Sequence, residues 1–179
     1  KLPFLRHFGA QQTLDTYRAV LDGFAYAQPA LETALRWASE RMPRGDRTTV
    51  VHGDFRNGNF IVGPEGIRAA LDWEVAHLGD PMEDLGYVCM RTWRFGGSLP
   101  VGGFGRREAM FEAYEKAGGG SVDPDEVRWW EVAGGIRWAL GCVRRAFTFR
   151  EQAQRQLEYA GVGRRIEEPI YDILNLIEG

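Results

Sequence analysis

The stretch "HGDFRNGNF", residues 52–60, places a histidine, an aspartate and two asparagines around glycine, between two runs suited to β structure. Before it, "RTTVV" (47–51) is short and β-branched. After it, "NFIVGPEGIRAALDW" (59–73) gives two apolar runs around "GPEG", whose proline suits the second position of a turn and whose glycine suits the fourth. This pattern predicts a β-hairpin. Positions symmetric about a hairpin turn face each other across antiparallel strands. Asn59 opens one strand and Asp72 closes the other, so the two are expected within about two residues of register, with side chains roughly 5–8 Å apart. An amide carbonyl and a carboxylate are hard oxygen donors that suit Mg²⁺, which keeps water and substrate phosphates as its remaining ligands. Asp54, at the tip of the same loop, is placed to accept a proton from a group bound beside the metal. The set is a layout for phosphoryl transfer.

Outward from the loop, the chain reads as helices. "QTLDTYRAVLDGFAYA" (12–27) and "PALETALRWASER" (29–41) carry apolar residues three and four apart, and Pro29 suits a first helical turn. "GDPMEDLGYVCMRTW" (79–93) opens with an aspartate cap, a proline and acids in the first turn. The glycine-rich "RFGGSLPVGGFG" (94–105) and "KAGGGSVDPDEV" (116–127) read as connectors, the second ending in another Asp-Pro start signal. The remainder is helical, with Gly134 and Gly135 expected at points of close packing. The fold class is α+β, mainly α, in one domain over 1–179.

Composition narrows the functional classes. A formal charge of −3 and a pI near 5.7 give no basic field for nucleic acid, and no apolar run approaches the roughly 20 residues that a membrane helix needs. The start, "KLPFLRHFGAQQ", lacks the apolar centre of a secretory signal, and the two cysteines, Cys89 and Cys142, are far apart. Both features predict a reducing, cytoplasmic setting in which a disulfide is possible but unneeded.

Three motifs now carry a resemblance. "HGDFRNGN" resembles the catalytic loop HGDxxxxN of the aminoglycoside phosphotransferase and choline kinase family, relatives of protein kinases. "LDWE" (71–74) is similar to the metal-binding strand end that follows it, and "LGDPMEDLG" (78–86) to the family's GDPxxDL segment. The string "ALDWEVAHLGDPMEDLGYV" is most similar to the kinase-like domains related to those fused to some acyl-CoA dehydrogenases. The resemblance implies that Asp54 is the catalytic base, that Asn59 and Asp72 hold Mg²⁺ on the phosphates of ATP or GTP, and that Arg56 neutralises charge developing on the transferred phosphoryl. It also implies that His52, Asp80 and Asp84 support the site structurally and that Glu74 reaches the metal through water. The implied fold is a protein-kinase-like C-terminal lobe with a small hairpin carrying the catalytic loop.

Plainer readings stand beside these roles. Asp54 and Asn59 are residue types that satisfy turns, Asp72 can cap a strand end, and Arg56 can be a solvated or salt-bridged arginine. His7 and His77 sit in no ligand-spaced motif, and Trp129, Trp130 and Trp138 have the spacing of core residues. A metal-dependent hydrolase using His52, Asp54 and Asp72 is a further alternative, short of the ligands such sites recruit. A non-catalytic kinase-like module that binds a ligand or a protein is another.

Kinases of this kind also need a glycine-rich strand turn and a strand lysine over the phosphates. Here 20 of the 22 basic residues are arginine, and the lysines are Lys1 and Lys116. The resemblance therefore extends only to a C-terminal lobe. The missing N-terminal nucleotide-binding lobe is an expected partner, and little or no kinase activity is expected without it. The acceptor is expected to be a small-molecule alcohol, bound partly by residues 126–156. The arginines there (128, 137, 144, 145, 150, 155) favour a neutral or anionic acceptor over a polycationic one. Trp73, Trp93 and Arg137 are the pocket residues suggested by position.

Overall fold

The structure, a computed structural model, describes residues 4–24, 26–45, 47–151 and 156–179. These divide into two compact units, Lys1–Ala10 with Pro43–Glu131 and Gln11–Met42 with Val132–Gly179. The strands are β1 (Thr49–Val51), β2 (Phe60–Gly63), β3 (Gly66–Ala70) and β4 (His77–Gly79), all in the first unit. The helices are α1 (Ala10–Gly23), α2 (Pro29–Glu40), α3 (Met82–Cys89), α4 (Arg107–Tyr114), α5 (Pro124–Arg150), α6 (Leu157–Gly163) and α7 (Glu167–Glu178). The fold is mainly helical, and its small sheets carry the motif-bearing segments.

The expected hairpin is present. β2 and β3 pair antiparallel with Gly63 opposite Gly66, so Pro64 and Glu65 fill the turn, and a bulge falls between Ile61 and Val62. A second two-stranded sheet was not expected. β1 pairs antiparallel with β4, Thr49 opposite Gly79, and Arg6–Phe8 extends this sheet through Phe8 N–H to Leu78 O and Leu78 N–H to Arg6 O, both 2.8 Å. Three residues, "HLG", just ahead of a helix carry too little alternation to announce a strand. With β1 in one sheet and β2 in the other, the intervening loop is held at both ends.

Cap signals set the helix starts. Asp80 Oδ1 accepts the Met82 N–H at 2.9 Å ahead of α3, and Asp123 Oδ1 accepts the Asp125 N–H at 2.9 Å at the start of α5. The helix expected over 12–27 ends at Gly23, a residue type that favours helix termination. In the first unit, Val88, Cys89 and Val101 form a buried cluster with Phe55, Phe60 and Met110 packed on it. Trp129 and Trp130 are buried, edge to face at 4.8 Å, as core residues. Buried Glu131 is paired with Arg107 at 2.6 Å. In the second unit, Leu31, Ala34, Ile136 and Ile173 are among the buried residues. A Cβ on Gly135 would lie 2.7 Å from Ile173 Cγ1, so that glycine marks the expected close approach, here of α5 and α7.

Both cysteines are free and buried, and burial pushes the Cys89 thiol up to about 12 and Cys142 up to about 11. Neither is poised as a nucleophile. Among the described residues, no helix is long and apolar enough to cross a membrane.

Candidate active site

The loop between β1 and β2 is fixed by hydrogen bonds that engage most of its polar groups. Asp84, on α3, accepts the backbone N–H of His52 at 2.8 Å with one carboxylate oxygen and that of Gly53 at 2.9 Å with the other. Burial pushes the Asp84 carboxyl above the usual carboxylate range, partly opposed by those two N–H donors, with the nearby charge of Glu83 adding to the rise. Asp80 is likewise a brace, since its second oxygen accepts Trp130 Nε1–H at 2.9 Å.

His52 is buried and both its ring nitrogens are engaged. Nε2 lies 2.7 Å from the Leu71 carbonyl oxygen, which can only accept, so the ring proton is on Nε2. Nδ1 then accepts the Asp54 N–H at 3.1 Å. The ring thus ties the end of the hairpin to the loop, and neither nitrogen is left for a metal. This counts against the hydrolase alternative.

The structure brings Asp54, Arg56 and Asn59 together. Asn59 is buried, and its Nδ2 donates to the Asp54 backbone carbonyl at 3.0 Å and to Asp54 Oδ2 at 2.7 Å. Both partners are acceptors, so the amide can face them only with its nitrogen, and its carbonyl oxygen points elsewhere. Arg56 Nε lies 3.2 Å from each Asp54 oxygen, and the guanidinium sits 4.6 Å from the centre of the Trp93 ring. The φ of Gly58 is +106°, a backbone conformation that favours glycine, and a side chain there would begin 2.8 Å from Arg56 Nη1 and displace the arginine tip.

Asp72 is exposed and lies one residue past Leu71, whose N–H donates to the Asn59 carbonyl at 2.8 Å. The register is therefore within the expected two residues. Asp72 has φ 62° and ψ 58°, a left-handed conformation that ends the hairpin and starts the short 3-10 turn Trp73–Val75, which contains exposed Glu74. Trp73 donates its Nε1–H to the Ala70 carbonyl at 2.9 Å and packs on His52 with ring centres 4.5 Å apart. Trp93 is buried against Arg56 and Tyr87. Arg137 belongs to the second unit, and Arg155 lies outside the described residues.

Two features escaped sequence reading. Asn57 Nδ2 donates to the Gly102 carbonyl at 2.9 Å, and Gly102 N–H donates to Val88 O at 2.9 Å, so the glycine-rich connector anchors the loop to α3. The asparagine in the loop and the glycine cluster were both visible, but not their pairing. His77 meets Glu83 at 3.0 Å through Nε2 and the Val75 carbonyl at 3.1 Å through Nδ1. Burial disfavours its charge, but the hydrogen bond and charge of Glu83, with Val75 and Asp84 assisting, hold His77 above its ordinary range.

A sequence model of the phosphotransferase enzyme family matches residues 2–130, from the start of the chain through the loop, the hairpin and α3. The chain belongs to this family. Over 75 residues it is 48% identical to acyl-CoA dehydrogenase family member 10 of Mus musculus, a match that takes in 41% of this chain and 7% of that protein. The resemblance to kinase-like domains associated with acyl-CoA dehydrogenases therefore holds. Among solved structures, a candidate aminoglycoside phosphotransferase from Ralstonia eutropha superposes with a TM-score of 0.75 at 21% identity, covering 94% of this chain and 55% of its own. A choline/ethanolamine kinase family protein from Mesorhizobium loti gives 0.57 at 18% identity, covering 96% and 58%. These likenesses establish the fold. The chain spans little more than half the length of those structures and a small fraction of the curated relative. Family membership supports phosphotransfer as the chemistry.

Proposed function

We propose that the chain is the catalytic-loop part of a kinase that transfers the γ-phosphoryl of ATP or GTP to the hydroxyl of a small-molecule alcohol. The observation that carries this reading is the double hydrogen bond from Asn59 to Asp54. It uses both amide N–H groups, holds the Asp54 carboxylate in place and leaves the Asn59 carbonyl oxygen for a cation. Asp54 takes the proton of the acceptor hydroxyl as the oxygen attacks. Arg56, resting on Asp54, is within its side chain's reach of a phosphoryl arriving at that oxygen, where its charge offsets the charge that develops.

The residues present fit a magnesium ion, since Asn59 offers a neutral oxygen and exposed Asp72 a charged one from adjacent positions of the hairpin. When bound, Mg²⁺ would neutralise the phosphates and hold them in line for attack. His52, Asp80 and Asp84 orient these groups without touching substrate. The nucleotide-binding half is supplied by sequence other than this chain, whose lysines are Lys1 and Lys116, the latter paired with Glu112 at 2.6 Å.

The test is the Asp54→Asn variant of the full-length gene product, in which turnover is expected to fall by about 10² to 10⁴. Unchanged turnover removes Asp54 from the role. A second reading, a kinase-like module that binds without catalysis, draws on the pairing of Arg56 with Asp54, which occupies the base. Calorimetry and turnover together separate the two, because Mg²⁺-dependent binding of ATP or GTP by the full-length protein accompanied by phosphoryl transfer is expected only of the kinase.

A further inference from the structure

The turn Arg94–Gly97 breaks a local rule beside the catalytic loop. Gly97 N–H closes on the Arg94 carbonyl at 2.8 Å, with Phe95 at φ 46°, ψ 42° and Gly96 at φ 86°. Two successive left-handed residues make a type I′ turn, whose central positions favour Asn, Asp and Gly. A phenylalanine there is strained, because its Cβ crowds the backbone. Phe95 is also 66% exposed, so burial does not compensate the strain. Strain that packing does not explain collects at functional sites.

The surroundings hold the turn in place. The Arg94 guanidinium donates to the Cys89 carbonyl at 2.9 Å and faces buried Glu131 at 3.9 Å. Gly97 packs backbone to backbone against Gly103, since a Cβ at Gly97 would fall impossibly close to the Gly103 carbonyl oxygen. From this base the ring of Phe95 reaches the catalytic loop. Phe95 Cε2 lies 3.9 Å, and Arg56 Nη1 2.8 Å, from the point where a side chain on Gly58 would begin. Arg56 in turn rests on both oxygens of Asp54. An exposed aromatic ring thus stands beside Gly58, a loop residue with no side chain, on the side that the Arg56 tip also approaches.

We propose that Phe95 determines acceptor specificity by taking the apolar body of the alcohol whose hydroxyl faces Asp54. The acceptor is then an alcohol with an uncharged hydrocarbon or ring skeleton. The Asp54 carboxylate is already paired with Arg56, and the Arg56 charge beside the ring disfavours a cation stacked there, as a polycationic amino sugar would require. The proposal rests on the kinase reading above, because it takes Asp54 as the group that receives the hydroxyl.

The experiment uses the full-length gene product and saturation-transfer NMR with 3-phenylpropan-1-ol, choline and kanamycin as probes. Wild type is expected to bind the phenyl alcohol in preference to the two cations. Phe95→Gly is expected to weaken that binding about 3- to 10-fold, the range an aromatic contact carries. Its thermal midpoint is expected to rise, because glycine takes the left-handed backbone without strain. A purely structural phenylalanine would instead lower the midpoint on removal. Failure of wild type to bind the phenyl alcohol, preference for choline or kanamycin, or equal binding by Phe95→Gly overturns the proposal. Mg²⁺-dependent ATP binding, measured by calorimetry on the same samples, keeps the two readings apart. Nucleotide binding with equal alcohol binding by both proteins removes the Phe95 role alone. Alcohol binding that needs Phe95, without any nucleotide binding, removes the kinase and leaves an apolar ligand site.

Discussion

Two polar residues at the open end of the hairpin, Asn59 and Asp72, are built in opposite ways. Asn59 is 3% exposed, its amide nitrogen is spent on Asp54, and its backbone is bonded to Arg56 on one side and Leu71 on the other. Asp72 is exposed, left-handed and makes no capping bond with its side chain. The difference follows from charge. A neutral amide can be buried once its donors are satisfied, whereas a carboxylate without a partner is costly to remove from water. Folding therefore fixes the neutral wall of this end of the hairpin, and the charged wall stays in water. The clamp from α3 belongs to the fixed wall.

The largest expected effect breaks that wall. Asp84→Ala leaves the His52 and Gly53 N–H groups without their acceptor, at a cost of about 2–4 kcal/mol in urea unfolding. A loss under about 1 kcal/mol would mean that water or the chain replaces the clamp, and the contrast with Asp72 would collapse. On the other wall the sign reverses. Asp72→Gly relieves a left-handed backbone and gives up no capping bond, so stability is expected to rise by up to about 1 kcal/mol while the charged donor is lost. Destabilisation by Asp72→Gly in the same assay would show that the carboxylate is held by the fold after all.

Much of this site was legible because its information is local. The hairpin follows from "GPEG" between apolar runs, and that turn brings Asn59 to within two residues of Asp72, while the bulge between Ile61 and Val62, which sets Leu71 as its partner, was not foreseen. Asp80 announces α3 because a cap lies next to what it caps. What escaped reading depends on contacts distant in sequence. The bond from Asn57 to Gly102 spans 45 residues, and no propensity of either residue signals it. β4 is too short to show a period, and its partner β1 lies well before it. Phe95 was hidden for another reason, since a phenylalanine in a left-handed turn position contradicts the preference by which such turns are recognised.

His77 joins the two walls, and its titration tests whether they are coupled. Its imidazole meets the Val75 carbonyl, just past Asp72, and the Glu83 carboxylate on α3, next to Asp84. Both neighbours accept, so the doubly protonated ring satisfies both at once. Its folded pKa is raised above the unfolded value of about 6.5, so its stabilising contribution is complete below that pH and is lost as pH rises through the folded pKa. Wild type is therefore expected to exceed His77→Gln in unfolding free energy by under about 1 kcal/mol near pH 6, with the gap closing at higher pH. NMR titration of the His77 ring proton should place its midpoint above that of a free histidine. A gap that widens with pH would mean that the neutral ring is the stabilising form and that the two walls are not joined by charge.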